Sequence, residues 1–404
     1  MECTRKISDS IYWIGGSDRR LQLFENLFPI ENGVSYDSYL IKDEKVAVMD
    51  TVDASIRNQY LENIAYVLGD RTIDYLVVQH MEPDHCANLE ELVIRYPNMQ
   101  IVANMKTLDM IHQYYPTLAI DDKVVLVKEG DTLSLGKHEL TFVMAPMVHW
   151  PEVMVSYEKK EKILFSADAF GTFGAFNGHI FNDEIDVEKE WVDEARRYYT
   201  NIVGKFGLQV QALLKKAASL DIRMVCPLHG PIWRTNIDYI LEKYQAWSTY
   251  TPEENGALLI YSSIYGNTES VVNAIACRLS KKGVKKIAVY DVSKTDVSVL
   301  VAESFKYSHI ILANTTYNTG IFPKMDNYLN DIKALMLQKR TVAIIQNGSW
   351  ALTSARLVKN KVEQMKDMTV LNDVLSIHSA VYKEDDLEVF INQILQSLAD
   401  YKEK

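Results

Sequence analysis

The sequence predicts two α/β domains in tandem, a sandwich of mixed α and β layers followed by a doubly wound parallel sheet. Two observations predict this. Residues 1–250 alternate many short β-rich runs with occasional helical patterns, as expected when sheets and helices pack in layers. From residue 257 onward, each apolar strand leads into a helical stretch, and that βαβ rhythm continues to the end of the chain at 404. A third observation concerns chemistry: metal-capable and hydroxyl-bearing side chains collect just after strands in both halves.

In the first half, VAVMD at 46–50 reads as a strand, and IDYLVVQ at 73–79 as another, followed by a polar loop and the helix-like NLEELVIRY. IVANM at 101–105, KVVLV at 123–127, LTFVMAP at 140–146, VMVSYE at 153–158, KILFSAD at 162–168 and RMVCPLH at 223–229 complete the strands. Residues 188–219 have the apolar spacing of a helix. TYTPEENG at 249–256 is polar with Pro and Gly, so the domains are expected at 1–250 and 257–404, joined by a linker at 251–256. The second half opens on ALLIYSS at 257–263, then the helix VVNAIACRLSKKG, with IAVYDV, HIILANTT and TVAIIQNG as further strands.

A net charge of −11 argues against non-specific nucleic-acid binding, which needs a basic surface. The N-terminus MECTRKISDSIYWIGG lacks the apolar core of a signal peptide, and no apolar run approaches the roughly 20 residues of a membrane helix. Cys3, Cys86, Cys226 and Cys277 form no C-x-x-C pair, so neither a rubredoxin-type nor a zinc-knuckle module is expected. Their scatter fits a reducing compartment, and the expectation is a cytoplasmic protein without membrane attachment.

The strongest chemical signal follows the 73–79 strand: His80-Met81-Glu82-Pro83-Asp84-His85. His149, Asp168 and His229 each close a later strand. Strand ends on one edge of a sandwich converge, so these seven side chains can meet. One carboxylate bridging two cations leaves three ligands for each metal and an open position for substrate. A carboxylate oxygen among the imidazoles favours iron or manganese over zinc. A single strand-end histidine is most often structural, and His112, His138, His179, His309 and His378 are read that way. Cys86 and Cys226, beside the ligands, are read as small buried fillers.

In the second half, Ser262-Ser263-Ile264-Tyr265-Gly266-Asn267-Thr268 opens onto a helix, where hydroxyls, backbone N–H groups and the helix end suit a phosphate. Thr315-Thr316-Tyr317-Asn318-Thr319-Gly320 and Asn347-Gly348-Ser349-Trp350 follow the next two strands. In a parallel sheet, a ligand sits outside the strand C-terminal ends at the topological switch point. Neither a Walker A nor a G-x-G-x-x-G motif is present to suggest a nucleotide hydrolase or a dinucleotide fold.

The loop H-x-E-x-D-H resembles that of the metallo-β-lactamase superfamily, with Glu82 in place of its second histidine, and this variant marks the flavodiiron family. The three later loops resemble those of flavodoxin. The resemblance runs over nearly the whole chain, in the family's domain order. It implies an αββα sandwich followed by a flavodoxin-like sheet, with two non-haem irons and FMN as cofactors. His80, Glu82 and His149 would ligate the iron nearer the flavin; Asp84, His85 and His229 would hold the other; and Asp168 would bridge them. In some members the residue at the His85 position turns away. Asp50 falls where the superfamily keeps an aspartate that orients the ligands. Loop one would take the FMN phosphate and the other two the isoalloxazine, with Trp350 and Tyr317 flanking the ring. Tyr198 matches a segment where relatives carry a pocket tyrosine; it is either a hydrogen-bond donor to bound oxygen or NO, or only the buried face of an amphipathic helix. Some members place a histidine near the start, where LQLFENLF at 21–28 offers Glu25 and Asn26.

The activity so implied is reduction of O2 to water, or of NO to N2O, by a head-to-tail homodimer or dimer of dimers. Electrons would pass through FMN from a separate donor such as rubredoxin or a flavoprotein reductase. Two other readings compete: a zinc hydrolase fused to a flavodoxin-like domain, and a non-enzymatic electron carrier. Glu82 and the flavin loops oppose the first, and the full ligand set opposes the second.

Overall fold

A computed structural model describes residues 1–401. Among them two compact units emerge, 1–199 with 208–245, and 200–207 with 246 onward.

The first unit holds two sheets. One has seven strands in the order Arg5–Lys6, Ile11–Trp13, Tyr39–Lys42, Val46–Met49, Tyr75–Val77, Gln100–Ala103 and Val124–Leu126; pairing is antiparallel as far as Val46–Met49 and parallel beyond it. The other has five strands, Thr132–Ser134, Glu139–Met144, Met154–Glu158, Ile163–Phe165 and Met224–Cys226, antiparallel except for the last pair. Alternate residues of both sheets, among them Ile41, Met49, Val77, Phe142, Met154 and Phe165, join one buried core. This is the expected sandwich. Its N-terminal strands were not anticipated, because segments of two to four residues show no usable period.

The helix expected over 188–219 is broken. Val187–Glu190 and Val192–Tyr198 are separated at Trp191, whose ring packs on Phe176 at 5.7 Å. A π-helical turn then spans Tyr199–Val203 before Gly207–Ala217 resumes. Such turns keep the apolar spacing roughly intact while shifting the backbone register, so periodicity alone misses them.

In the second unit the parallel order is Ile287–Asp291, Glu254–Tyr261, Tyr307–Thr315, Thr341–Asn347, then Thr369–Val370 and Leu375–Ile377 on the last edge. Strand one thus lies between strands two and three, the flavodoxin-like order. Leu258, Ile260, Ile310 and Leu312 face one core; Ala257, Leu259, Ile311 and Ala313 face another on the opposite side, under Asn267–Lys281 and Glu384–Asp400. The division differs from the expected one in two respects. Glu254–Gly256, read as linker, already belong to the first strand. Residues 200–207 group with the second unit, where Asn201 donates to the Ser298 carbonyl at 3.1 Å and the Tyr250 hydroxyl donates to the Gly204 carbonyl at 2.9 Å. Among the described residues no helix is long and apolar enough to cross a membrane.

Candidate metal centre and flavin cleft

All seven predicted ligands meet at one end of the sandwich. The 75–77 strand ends in a loop that Asp50 pins down: its carboxylate accepts from the backbone N–H groups of Gln79 (2.7 Å) and His80 (3.2 Å) and from the Gln79 side chain (2.8 Å). Burial, partly offset by those bonds, pushes Asp50 up to about 6. Glu82 then precedes a single helical turn, Pro83–Cys86, with Pro83 at its first position, where its fixed φ is favourable. That turn separates Glu82 from Asp84 and His85, and two ligand groups result: His80, Glu82, His149 and Asp168, and Asp84, His85 and His229.

Asp168 faces both groups. Its Oδ2 lies 3.3 Å from His80 Nε2 and 3.1 Å from His149 Nε2; its Oδ1 lies 3.0 Å from His85 Nε2 and 3.8 Å from His229 Nε2. Glu82 Oε2 is 3.0 Å from His149 Nε2, and Asp84 Oδ2 is 3.3 Å from His229 Nε2. The His85 ring therefore points inward.

These atoms are close but poorly satisfied. Both oxygens of Asp84, Oδ1 of Asp168 and Nε2 of His85 and His229 are buried without a hydrogen-bond partner. Buried polar atoms are seldom left so, and a pair of cations would satisfy all of them. The electrostatics agree. Although burial opposes their charged form, Asp168 and Glu82 raise His149 to about 9, Asp84 and Asp168 raise His229 to about 9, and Asp168, Glu152 and Glu82 raise His80. Asp168 and Glu82 resist the same burial and are held below the ordinary carboxylate range by the imidazoles. The pocket demands positive charge. Its backbone is strained as well: Asp50, Met147, Ala167 and Phe170 adopt φ of 51°, 64°, 49° and 70°, values that cluster at functional sites.

Tyr198 is fully buried, with its ring 5.5 Å from that of His229 and its hydroxyl unpartnered. Burial and the neighbouring Asp168, Glu82 and Asp84 keep that hydroxyl protonated. Glu25 has a left-handed backbone (φ 50°) and lays its carboxyl on Glu82; burial and that contact raise it to about 8. Cys86 and Cys226 are both buried. Of the other histidines, His138 bridges Ser10 (2.7 Å) and Glu158 (3.0 Å), and His309 bridges Ser308 (2.8 Å) and Ser397 (2.9 Å). Two groups beyond the expected ones hold the ligands from behind: Glu152 accepts from His80 Nδ1 at 2.8 Å, and the Ser35 carbonyl lies 2.7 Å from His229 Nδ1. Glu152, three residues after His149, is a carboxylate beside a ligand and so carries a signal in the sequence; a backbone carbonyl leaves none.

In the second unit a cleft of about 270 Å³ opens at the strand C-terminal ends. Loop one lines it with Ser263, Ile264, Tyr265, Asn267 and Thr268; loop two with Thr315, Thr316, Tyr317 and Asn318; loop three with Asn347, Gly348, Ser349 and Trp350. Ala351 and Ser379 also line it and were not anticipated. Ser262, Gly266, Thr319 and Gly320 do not line the cleft. Ser262 is buried beneath it and accepts from the Thr315 N–H at 2.9 Å. Gly266 supplies the left-handed turn (φ 90°) that starts helix Asn267–Lys281, whose first turn has no side-chain cap. Those uncapped N–H groups fit a phosphate. Tyr265 and Trp350, 92% and 76% exposed, leave large aromatic surface open at the cleft, which fits a planar ring system.

This pairing of a metallo-β-lactamase-like sandwich bearing a two-metal ligand set with a flavodoxin-like sheet defines a class. A family model described as "ODP family beta lactamase" matches residues 34–230. An anaerobic nitric oxide reductase flavorubredoxin of Vibrio vulnificus is 32% identical over 86% of this chain and 70% of that protein. The rubredoxin oxygen:oxidoreductase of Desulfovibrio gigas is 28% identical, with a TM-score of 0.89 over 98% of this chain and 99% of that one. The flavodiiron protein of Giardia intestinalis, 23% identical with a TM-score of 0.87 over 98% and 96% of the two chains, shares the fold. The chain belongs to the flavodiiron protein family, whose cofactors are two non-haem irons and FMN. It is an oxidoreductase of the O2- or NO-reducing kind.

Proposed function

We propose that this chain reduces O2 to water or NO to N2O at a diiron centre held by His80, Glu82 and His149 on one side, Asp84, His85 and His229 on the other, and Asp168 between them. The observation that carries the reading is Asp168, each of whose oxygens faces a separate ligand group. When bound, two ferrous ions and reduced FMN supply the four electrons that take O2 to two waters, or the two that couple two NO molecules into N2O and water.

The chain's own residues do the rest. Asp50 fixes the backbone where the ligand loop begins, at Gln79 and His80, and so helps to orient the His80 ring. Tyr198 offers its O–H to substrate from a buried position, where a hydrogen bond is stronger than in water. Loop one binds the FMN phosphate at the start of helix Asn267–Lys281, and Trp350 and Tyr317 flank the isoalloxazine. Electrons come from an external donor, rubredoxin or a flavoprotein reductase. A head-to-tail dimer would set one chain's flavin loops near its partner's metal ligands.

The test is elemental analysis and flavin extraction on protein purified without oxygen, followed by O2 and NO consumption with a reduced donor. Two irons and one FMN per chain support the reading, and the two assays decide the substrate. Zinc that persists after growth in iron-rich medium overturns it in favour of a hydrolase.

A further inference from the structure

The imidazoles of the metal centre are not held alike from behind. His80 turns Nδ1 to the carboxylate of Glu152 at 2.8 Å, and the same Glu152 oxygen accepts from the Met81 N–H at 2.9 Å. His229 turns Nδ1 to a neutral group, the Ser35 carbonyl, at 2.7 Å. His85 Nδ1 is buried with no partner. Glu152 itself is 1% exposed, and Asn104 ties down its backbone carbonyl at 2.6 Å.

These differences have physical consequences. An acceptor at Nδ1 fixes the proton there and leaves the Nε2 lone pair facing the pocket, for His80 and His229 alike. A carboxylate acceptor does more: it makes the imidazole a stronger donor to a metal and adds a fixed negative charge nearby. That added pull acts on the His80, Glu82 and His149 side only.

We infer that Glu152 is a positioning residue that makes the two metal positions unequal, so that the iron on the His80 side is held more tightly than the iron on the His229 side. The inference rests on the diiron reading above. Glu152 touches no substrate and acts through His80.

The experiment titrates anaerobic, iron-loaded protein with a ferrous chelator and follows iron release. Wild-type protein should lose its two irons in two resolved steps. Glu152→Gln keeps an acceptor of the same shape and removes the charge. It should weaken the tighter step by roughly 10–100-fold and leave the weaker step in place. Asp84→Asn should shift the weaker step instead, which assigns the steps to their positions. If Glu152→Gln does not fold, Glu152→Asp, which keeps the charge but withdraws it, should weaken the tighter step by less. A purely structural role for Glu152 would move both steps together, or lower flavin content and thermal stability, and any of these results overturns the proposal. So do two irons leaving wild-type protein in one step, or variants that leave the tighter step unchanged; both outcomes spare the diiron reading. Wild-type protein that takes up fewer than two irons overturns the diiron reading and this inference together.

Discussion

The metal centre and the flavin cleft solve opposite problems. The metal centre is closed and over-supplied with buried acceptors: five ligand atoms, from Asp84, His85, Asp168 and His229, have no hydrogen-bond partner within the protein. The cleft is open, and its polar side chains largely satisfy one another. Thr268 and Thr315 share a hydrogen bond at 2.9 Å, and Asn347 donates to Thr268 at 3.1 Å. What the cleft leaves unsatisfied is aromatic surface and the start of a helix. A metal site without its ion is therefore electrostatically incomplete, whereas a flavin cleft without its ligand is merely exposed. Removing one contact should damage the first far more than the second.

The largest expected effect comes from Asp168→Asn. Losing the charge that faces both ligand groups should drop iron below one per chain and cut turnover roughly a hundredfold or more, with FMN content unchanged. Metal analysis beside the flavin absorbance of the same sample checks it; loss of both cofactors together would instead mean unfolding. Acidity should produce the next effect. His149 and His229 rest near 9 in the absence of metal, so below that pH protons occupy the nitrogens that iron must take. From about pH 7, where the FMN phosphate is already a dianion, iron affinity should rise towards pH 9 with protons released on binding, while FMN affinity stays flat. Metal titrations in weakly buffered solution, with pH followed directly, measure this. A flat iron affinity would mean that the imidazoles are already free of protons.

The same contrast governs how much of each site is legible in the sequence. Metal chemistry restricts residue type severely, so His80, Glu82, Asp84, His85, His149, Asp168 and His229 stood out by identity and by their places after strands. The flavin loops are mostly Ser, Thr, Asn and Gly, which favour turns anyway, and their succession after parallel strands is what gives them meaning. Contacts that cross between loops stayed hidden. Ser379 reaches the cleft from a loop beyond the third, and Ser35 meets His229 across 194 residues of chain. Backbone devices were hidden too: the π turn at Tyr199–Val203 and the left-handed Asp50 and Ala167 answer to packing rather than to periodicity.

On the cleft side, Trp350→Ala should weaken FMN about 3–10-fold, because an exposed ring contributes stacking area and little else. Iron content should not change. Fluorescence quenching of added FMN reads the affinity, and an unchanged value would remove Trp350 from the flavin site.

The smallest expected effect on stability and cofactor content belongs to Tyr198→Phe, and it tests the role proposed for that residue. The ring packs against Phe173, Phe24 and His229, so a phenylalanine keeps the packing and deletes only the hydroxyl. That hydroxyl has no protein partner, so its loss should leave the unfolding temperature unchanged or slightly higher. Because the hydroxyl is proposed to donate to bound O2 or NO, turnover should fall by about tenfold, the worth of roughly 1.4 kcal/mol of transition-state stabilisation, with iron and FMN at full occupancy. Unchanged turnover would make Tyr198 only the buried face of its helix. Lower stability with unchanged turnover would mean that the hydroxyl has a partner, such as an ordered water, that matters for the fold rather than for the chemistry.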